Sequence, residues 1–140
     1  MSVQVRGSGE AKFTTTVVAG GHEFLADEPV DSGGDDEGPN PYDLLLAALG
    51  TCTSMTLRLY ARRKGYPLDE VAVDLTQDRV HAEDCADCDT TSGYVTRIRR
   101  DITLTGDLTP EQRADLIRIA DRCPVHRTLT AEIVVETTEV

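Results

Sequence analysis

Aromatic residues are scarce in this sequence, and tryptophan is absent. Its 140 residues include two Phe and four Tyr, so the core must consist mainly of Leu, Val, Ile and Ala. A chain of this length is expected to form one domain with a sizeable core. It contains no apolar run close to the roughly 18 residues of a membrane span. Because residues 1–6 also lack an apolar signal region, the cytoplasm is the expected location.

Basic residues are also scarce. There are 14 Lys and Arg against 25 Asp and Glu, which gives a formal net charge of −11 at pH 7. Nucleic acids and anionic membrane surfaces bind proteins through basic patches. The charge therefore argues against both kinds of partner, although it says little about the fold.

The four cysteines occur in two different contexts. In a cytoplasmic protein, reduced, catalytic or metal-bound cysteines are more common than structural disulfides. Cys52 lies in the middle of an apolar helical segment, and Cys123 directly precedes the helix breaker Pro124. Either cysteine alone is a small hydrophobic residue. Two cysteines on helices that pack together are candidates for an attacking thiol and its resolving partner.

The N-terminal part of the chain predicts a small antiparallel sheet. Two segments rich in β-branched or apolar residues flank Gly20 and Gly21. Two glycines at this place indicate a tight hairpin, because both turn positions favour positive φ. Val3 and Val5 predict a short third strand.

A loop and a long helix follow this sheet. Residues 27–40 are rich in Gly, Pro and acidic side chains, which predicts a solvated loop, either a flexible connection or a lid over the active site. Asn40 is a good N-cap for a helix over residues 41–64, which Gly65 terminates. The first half of this helix is apolar or small on nearly every side, so we expect it to be buried all round, by a sheet or by a partner.

The second half of the chain predicts a long hairpin, a helix and a last strand. Alternating apolar residues indicate strands over 71–80 and 95–104 that pair with a cysteine-bearing loop at the tip. The run Arg97-Ile98-Arg99-Arg100 in the second strand is most simply a solvated face and its edge, and the alternative is a shared charge on the active site. A Thr109 capping box begins a helix that is expected to end at Cys123, and residues 129–135 alternate as a last strand. The order of elements predicts an α+β fold, with antiparallel sheets wrapped around a long central helix.

The segment around Cys52 carries a resemblance to a known family. Residues 38–53 read Gly-Pro-Asn-Pro-Tyr-Asp-Leu-Leu-Leu-Ala-Ala-Leu-Gly-Thr-Cys-Thr, and Cys123-Pro124 lies about seventy positions further on. This combination resembles the OsmC/Ohr family of thiol-dependent hydroperoxide reductases, and most closely its OsmC-like branch. The resemblance covers essentially all of residues 1–140. It implies a single OsmC-like domain that forms an intertwined homodimer, with active sites near the subunit boundary.

The resemblance also implies a reaction and its two cysteines. Cys52 is the peroxidatic cysteine, which attacks an organic hydroperoxide, and Cys123 is the resolving cysteine. An external dithiol reductant restores both thiols, and no bound cofactor is expected. An apolar pocket formed by Leu45, Leu49 and Met55 would favour alkyl peroxides over hydrogen peroxide. The physiological setting that the family implies is oxidative or osmotic stress.

The sequence departs from the family at the residues that activate the thiol. Peroxide-reducing members use an arginine after a Gly-Gly-type turn and a glutamate ten positions before the reactive cysteine. Here His22 follows the two glycines, Tyr42 stands ten positions before Cys52, and Asp43 comes one place later. His22 and Asp43 are therefore the candidate activating residues. Other candidate cations are Arg79, Arg97, Arg99 and Arg127.

The predicted hairpin tip contains a second group of thiols. His81, Cys85 and Cys88 have the spacing of a partial zinc site, and the two cysteines alone have the spacing of a redox dithiol. Surrounding carboxylates would slow such a dithiol, because they disfavour the thiolate. A passive hairpin tip is the simplest alternative.

The sequence is also compatible with two other functions. The first is a binding protein on the same scaffold, which holds a small hydrophobic ligand and keeps Cys52 for packing. The missing arginine and glutamate favour it. The second is a metal-dependent role centred on His81, Cys85 and Cys88.

Overall fold

The N-terminal unit contains a three-stranded antiparallel sheet. The computed structural model describes residues 1–140, which form two compact units, 1–46 and 47–140. The strands of the first unit pair in the order β1-β2-β3, with β1 (Val3–Gly7), β2 (Thr15–Ala19) and β3 (His22–Ala26). Gly20 and Gly21, between β2 and β3, have φ angles of 57° and 84°. The predicted two-glycine hairpin and the third strand are both confirmed.

The loop over residues 27–40 is anchored by a buried carboxylate. Asp27 is 3% exposed. It accepts hydrogen bonds from the Glu28 N–H at 2.8 Å, the Thr14 hydroxyl at 3.1 Å and the N–H groups of Asp35 and Glu37 at 3.3 Å. Burial raises the pKa of Asp27, but these four bonds outweigh it and lower that pKa. Asp27 therefore anchors the loop through its hydrogen bonds, and both the flexible connection and the lid stay predictions.

The long helix α1 (Pro41–Lys64) has the predicted bounds. The Asn40 side chain accepts hydrogen bonds from the N–H groups of Tyr42 and Asp43, both at 2.9 Å, and the Asp43 carboxylate accepts one from the Asn40 N–H at 3.0 Å. This reciprocal cap satisfies N–H groups that have no partner inside the helix.

The single chain buries only one side of α1, so cover of the other side by a partner stays a prediction. Its buried residues form one stripe, which consists of Leu49, Gly50, Thr53, Leu57 and Ala61. Met55 is 60% exposed and Leu59 is 45% exposed, because a single chain covers only one side of the helix. By length and composition α1 also qualifies as a membrane span, although core helices of soluble proteins pass the same test.

The C-terminal unit contains the predicted long hairpin and its helix. Strands β4 (Glu70–His81) and β5 (Tyr94–Thr105) pair antiparallel along their whole length. Helix α2 (Pro110–Ala120) begins with the predicted capping box between Thr109 and Gln112. The core of this unit consists of Leu57, Ala61, Leu104, Leu108, Leu116, Ile119 and Ala120.

The C-terminal end differs from the prediction in two ways. Helix α2 ends at Ala120, and Cys123 is instead the N-cap residue of a short helix, α3 (Pro124–Leu129). Pro124 occupies the first position of α3 because its missing N–H costs nothing there. The strand predicted over 129–135 is absent. Its alternating residues find no strand to pair with in the single chain, and Val135 is 82% exposed.

Candidate functional site

The structure brings together the two cysteines that the sequence analysis paired. Cys52 lies on α1 and is half-buried, whereas Cys123 lies in the turn between α2 and α3 and has no solvent exposure. Both are free thiols. They are close enough that each shifts the pKa of the other. The site is therefore a pair of interacting thiols of which only one reaches solvent.

Hydrogen-bond donors gather around the buried thiol. Burial raises the pKa of Cys123, but the Cys52 thiol, the His126 N–H, the Thr53 hydroxyl and the Val125 N–H all favour its thiolate. The resulting pKa is lower than that of an ordinary cysteine. The Cys123 thiolate is thus stabilised by local donors inside the protein.

The half-buried thiol shifts in the opposite direction. Burial and the neighbouring Cys123 sulfur raise the pKa of Cys52, and the Val125 N–H and Thr56 hydroxyl offset only part of this. When the pair has lost one proton, the remaining proton therefore lies on Cys52. Moving that proton to Cys123 places the thiolate on the sulfur that solvent can reach.

Arg100 is the cation connected to this pair. Its side chain is only 13% exposed. The guanidinium donates to the Thr53 hydroxyl oxygen at 3.1 Å, the Ala120 carbonyl at 3.3 Å and the Asp121 carboxylate at 2.8 Å. Thr53 is fully buried and donates its own hydrogen to the Leu49 carbonyl at 2.8 Å. The single Thr53 hydroxyl hydrogen can turn from this carbonyl to the Cys123 thiolate, which links Arg100 to Cys123 through Thr53.

Arg100 is not among the predicted cations, because the run that contains it is most simply a solvated face. Residues 98, 100, 102 and 104 of β5 are all buried or half-buried, whereas 97, 99, 101 and 103 are exposed. Because strand residues alternate between two faces, Arg100 belongs to the inner face. That alternation was the signal that could have identified it.

A cavity of about 260 Å³ adjoins Arg100. Its lining residues are Leu49, Thr96, Ile98, Arg100, His126, Leu129 and Thr130. Of the residues predicted to form an apolar substrate pocket, Leu49 lines this cavity. Met55 lines a separate open groove between α1 and β4. The cavity therefore combines aliphatic walls with two nitrogen-containing side chains.

The other predicted activating residues occupy different places. His22 is exposed at the start of β3, and Asp43 belongs to the N-terminal cap of α1. The capping bond gives Asp43 a structural role, and the activating role of both residues stays a prediction. Among the predicted cations, Arg97 forms an exposed ion pair with Asp78.

At the hairpin tip, Cys85 and Cys88 form a disulfide. The His81 ring stacks against Tyr94, with the ring centroids 4.3 Å apart. No three His, Cys, Asp or Glu side chains are placed to hold a metal ion. The structure therefore shows the pair in its oxidised form, with both sulfurs bonded to each other, and zinc binding stays a hypothesis for the reduced form.

The fold and the thiol pair define a small α+β protein with two neighbouring free cysteines. A family model described as OsmC-like protein matches residues 34–138. The chain therefore belongs to the OsmC family, and the resemblance found in the sequence is confirmed. No curated protein matches the sequence.

Solved structures show the same fold at low sequence identity. The OsmC-like protein of Mycoplasma pneumoniae superposes with a TM-score of 0.71 at 19% identity, over 91% of this chain and 85% of that chain. An organic hydroperoxide resistance protein OsmC of Legionella pneumophila superposes with a TM-score of 0.65 at 18% identity, over 93% of this chain and 90% of that chain. An organic hydroperoxide resistance protein of Elizabethkingia anophelis superposes with a TM-score of 0.66 at 20% identity, over 93% of this chain and 89% of that chain.

Proposed function

We propose that this protein reduces organic hydroperoxides with Cys52 and Cys123 and acts in stress defence. The observation that carries the proposal is the contact between a half-buried thiol and a fully buried one. A peroxide can reach only the first, and the second is positioned to resolve the product. The hydroperoxide resistance named for the Legionella and Elizabethkingia proteins supports this reaction class.

The reaction proceeds in two steps at the thiol pair. The Cys52 thiolate attacks one peroxide oxygen and breaks the O–O bond, so that Cys52 becomes a sulfenic acid and the alkoxide leaves as the alcohol after taking a proton. The Cys123 thiolate then attacks the sulfenic sulfur, forms the disulfide and releases hydroxide, which becomes water. An external dithiol reduces the disulfide by exchange.

The donors around Cys123 suit the second step. A resolving thiol attacks as its thiolate, and the low pKa of Cys123 supplies that form beside Cys52. The raised pKa of Cys52 limits the first step in the free protein. Proton transfer from Cys52 to Cys123 would form the Cys52 thiolate without another base, but the opposite pKa shifts of the two thiols make this transfer unfavourable.

The cavity next to Arg100 supports an organic substrate. Its aliphatic lining, with Leu49, Ile98 and Leu129, favours an alkyl group. Hydrogen peroxide has no such group and gains nothing from apolar walls. We therefore place the alkyl portion of the peroxide in this cavity.

Oxidation by one equivalent of cumene hydroperoxide tests the proposal. We expect the reduced protein to lose two hydrogen atoms, and a peptide map to assign them to a Cys52–Cys123 bridge. The matched control is Cys85→Ser/Cys88→Ser, which cannot form the tip disulfide and should give the same bridge. If Cys52 and Cys123 stay reduced while the peroxide persists, the catalytic proposal is wrong.

The same persistence of peroxide would favour the second candidate function, binding of a small hydrophobic ligand. A cavity of about 300 Å³ in the N-terminal unit supports it. Aliphatic and aromatic residues, including Val5, Phe13 and Val17, form much of its wall. Such a pocket can hold an apolar molecule without any thiol chemistry.

We also propose that the protein is a homodimer in which a second copy covers the exposed face of α1. Met55 and Leu59 expose apolar surface there, which soluble proteins commonly bury against a partner. Light scattering should give twice the mass of one chain, and Met55→Glu should shift the equilibrium towards monomer. A wild-type mass of one chain at micromolar concentration would contradict this.

A further inference from the structure

The disulfide at the hairpin tip has no role in the proposed reaction. Cys85 and Cys88 are three residues apart with Cα atoms 5.5 Å apart, within the range of ordinary disulfides. The same structure leaves Cys52 and Cys123 as free thiols. The chain therefore contains two cysteine pairs in different redox states, and the tip pair needs its own explanation.

The tip is well separated from the peroxide site. In the hairpin, Leu75 pairs with Arg100, and His81 pairs with Tyr94 at the end nearest the tip. Six residues of strand span about 20 Å. Since the Arg100 side chain contacts the residue next to Cys52, the tip disulfide lies too far along the hairpin to exchange directly with the first pair in the same chain.

The disulfide is accessible and ties the tip together. Both Cys85 and Cys88 are half-buried, so a small reductant can reach them. Backbone hydrogen bonds close the base of the tip, from the Ala82 N–H to the Gly93 carbonyl at 2.9 Å and from the Cys85 N–H to the Ala82 carbonyl at 3.2 Å. Within the tip loop itself, the Cys85–Cys88 disulfide is the covalent constraint.

The charges around the pair determine which reductants suit it. Four exposed carboxylates lie within two residues of the cysteines, namely Glu83, Asp84, Asp87 and Asp89. Negative charges disfavour the thiolates formed by reduction. A disulfide is a strong oxidant when the thiolates formed by its reduction are stabilised. The acidic loop destabilises these thiolates, so it favours the disulfide over the dithiol. We therefore expect a dithiol to reduce the pair where a monothiol does not, because a dithiol forms a cyclic disulfide in an intramolecular second step.

We propose that Cys85 and Cys88 form a second, reversible dithiol–disulfide centre whose reduction by a dithiol releases the hairpin tip. A thiolate of the reductant attacks one sulfur of the disulfide, which gives a mixed disulfide and one free cysteine. The second thiol of the reductant then attacks the mixed disulfide and leaves as a cyclic disulfide. Two electrons and two protons pass to Cys85 and Cys88.

The test uses Cys52→Ser/Cys123→Ser, which keeps only the tip pair. The folded variant is equilibrated with a series of buffers that differ in the ratio of reduced to oxidised dithiothreitol. Free thiols are then alkylated and counted by mass spectrometry. We expect one two-electron transition that runs in both directions, with glutathione leaving most of the protein oxidised. Limited proteolysis within residues 82–93 should rise at least about tenfold on reduction, because the constraint on the loop is lost.

A charge variant provides the matched control. Asp87→Asn/Asp89→Asn in the same background should make the tip easier to reduce, so that its transition moves to more oxidising dithiothreitol ratios. Free thiols before any reductant, reduction only in denaturant, or identical proteolysis in both redox states would each overturn the proposal. Because this background lacks the peroxide pair, the outcome is independent of the proposed peroxidase activity.

Discussion

Cys52→Ser is expected to lower hydroperoxide reduction by at least about 1,000-fold, because removing a catalytic nucleophile costs most of the rate enhancement. A serine hydroxyl at this position has neither the acidity nor the polarisability of a thiol. The variant should keep its fold, since the substitution changes one atom at a half-buried position. Peroxide consumption with excess dithiothreitol measures the effect, and circular dichroism checks the fold.

Cys123→Ser is expected to block the second step of the reaction, formation of the disulfide. Cys52 still attacks in this variant, so one equivalent of alcohol should form and then turnover should stop. The sulfenic acid on Cys52 has no resolving partner and should accumulate, where dimedone traps it. The two variants thus differ in the first turnover, which rapid mixing with one equivalent of peroxide resolves.

The reverse assignment of the two thiols makes the opposite prediction. Cys123 has the lower pKa, so acidity alone would select it as the attacking thiol. Burial argues against this, because Cys123 has no exposed surface and a peroxide cannot approach it without movement of the protein. If Cys52→Ser retains the first turnover and Cys123→Ser loses it, the roles are exchanged.

Local signals in the sequence predicted most of the fold. The bounds of α1 follow from a cap at Asn40 and the breaker after Lys64, and the hairpin at Gly20 follows from its φ requirement. These features depend on a few neighbouring residues. The C-terminal strand failed because a strand also needs a partner, and no local pattern states whether one is present in the same chain.

The candidate site was predicted only in part for a similar reason. The thiol pair was found from a motif, since Cys52 and Cys123 each have a characteristic neighbourhood. Arg100 was missed because it belongs to a run with Arg97 and Arg99, and runs of arginine are typical of solvent-exposed surfaces. Its role depends on β5 facing α1 and α2, which is a tertiary arrangement, and the energetic value of its contacts comes from burial.

Arg100→Met is the variant that should most affect the chemistry without touching either thiol. The Arg100 guanidinium polarises the Thr53 hydroxyl, whose single hydrogen must turn from the Leu49 carbonyl to donate to the Cys123 thiolate. Loss of one charge-assisted hydrogen bond of roughly 1.5–3 kcal/mol corresponds to a fall of about tenfold or more in the rate of disulfide formation. The ultraviolet absorbance of the thiolate, followed against pH, should show the pKa of Cys123 moving upwards.

Three further variants separate this role from a structural one. Thr53→Val removes the hydroxyl at nearly constant volume and should raise the pKa of Cys123 as Arg100→Met does, whereas Thr53→Ser retains the hydroxyl and should restore it. Arg99→Met removes the same charge from the exposed face of β5 and should leave the titration unchanged. If Arg99→Met and Arg100→Met shift the titration equally, the effect is the general loss of positive charge. The low pKa of Cys123 would then come from the Cys52 thiol and the backbone N–H groups of Val125 and His126, without a path through Arg100 and Thr53.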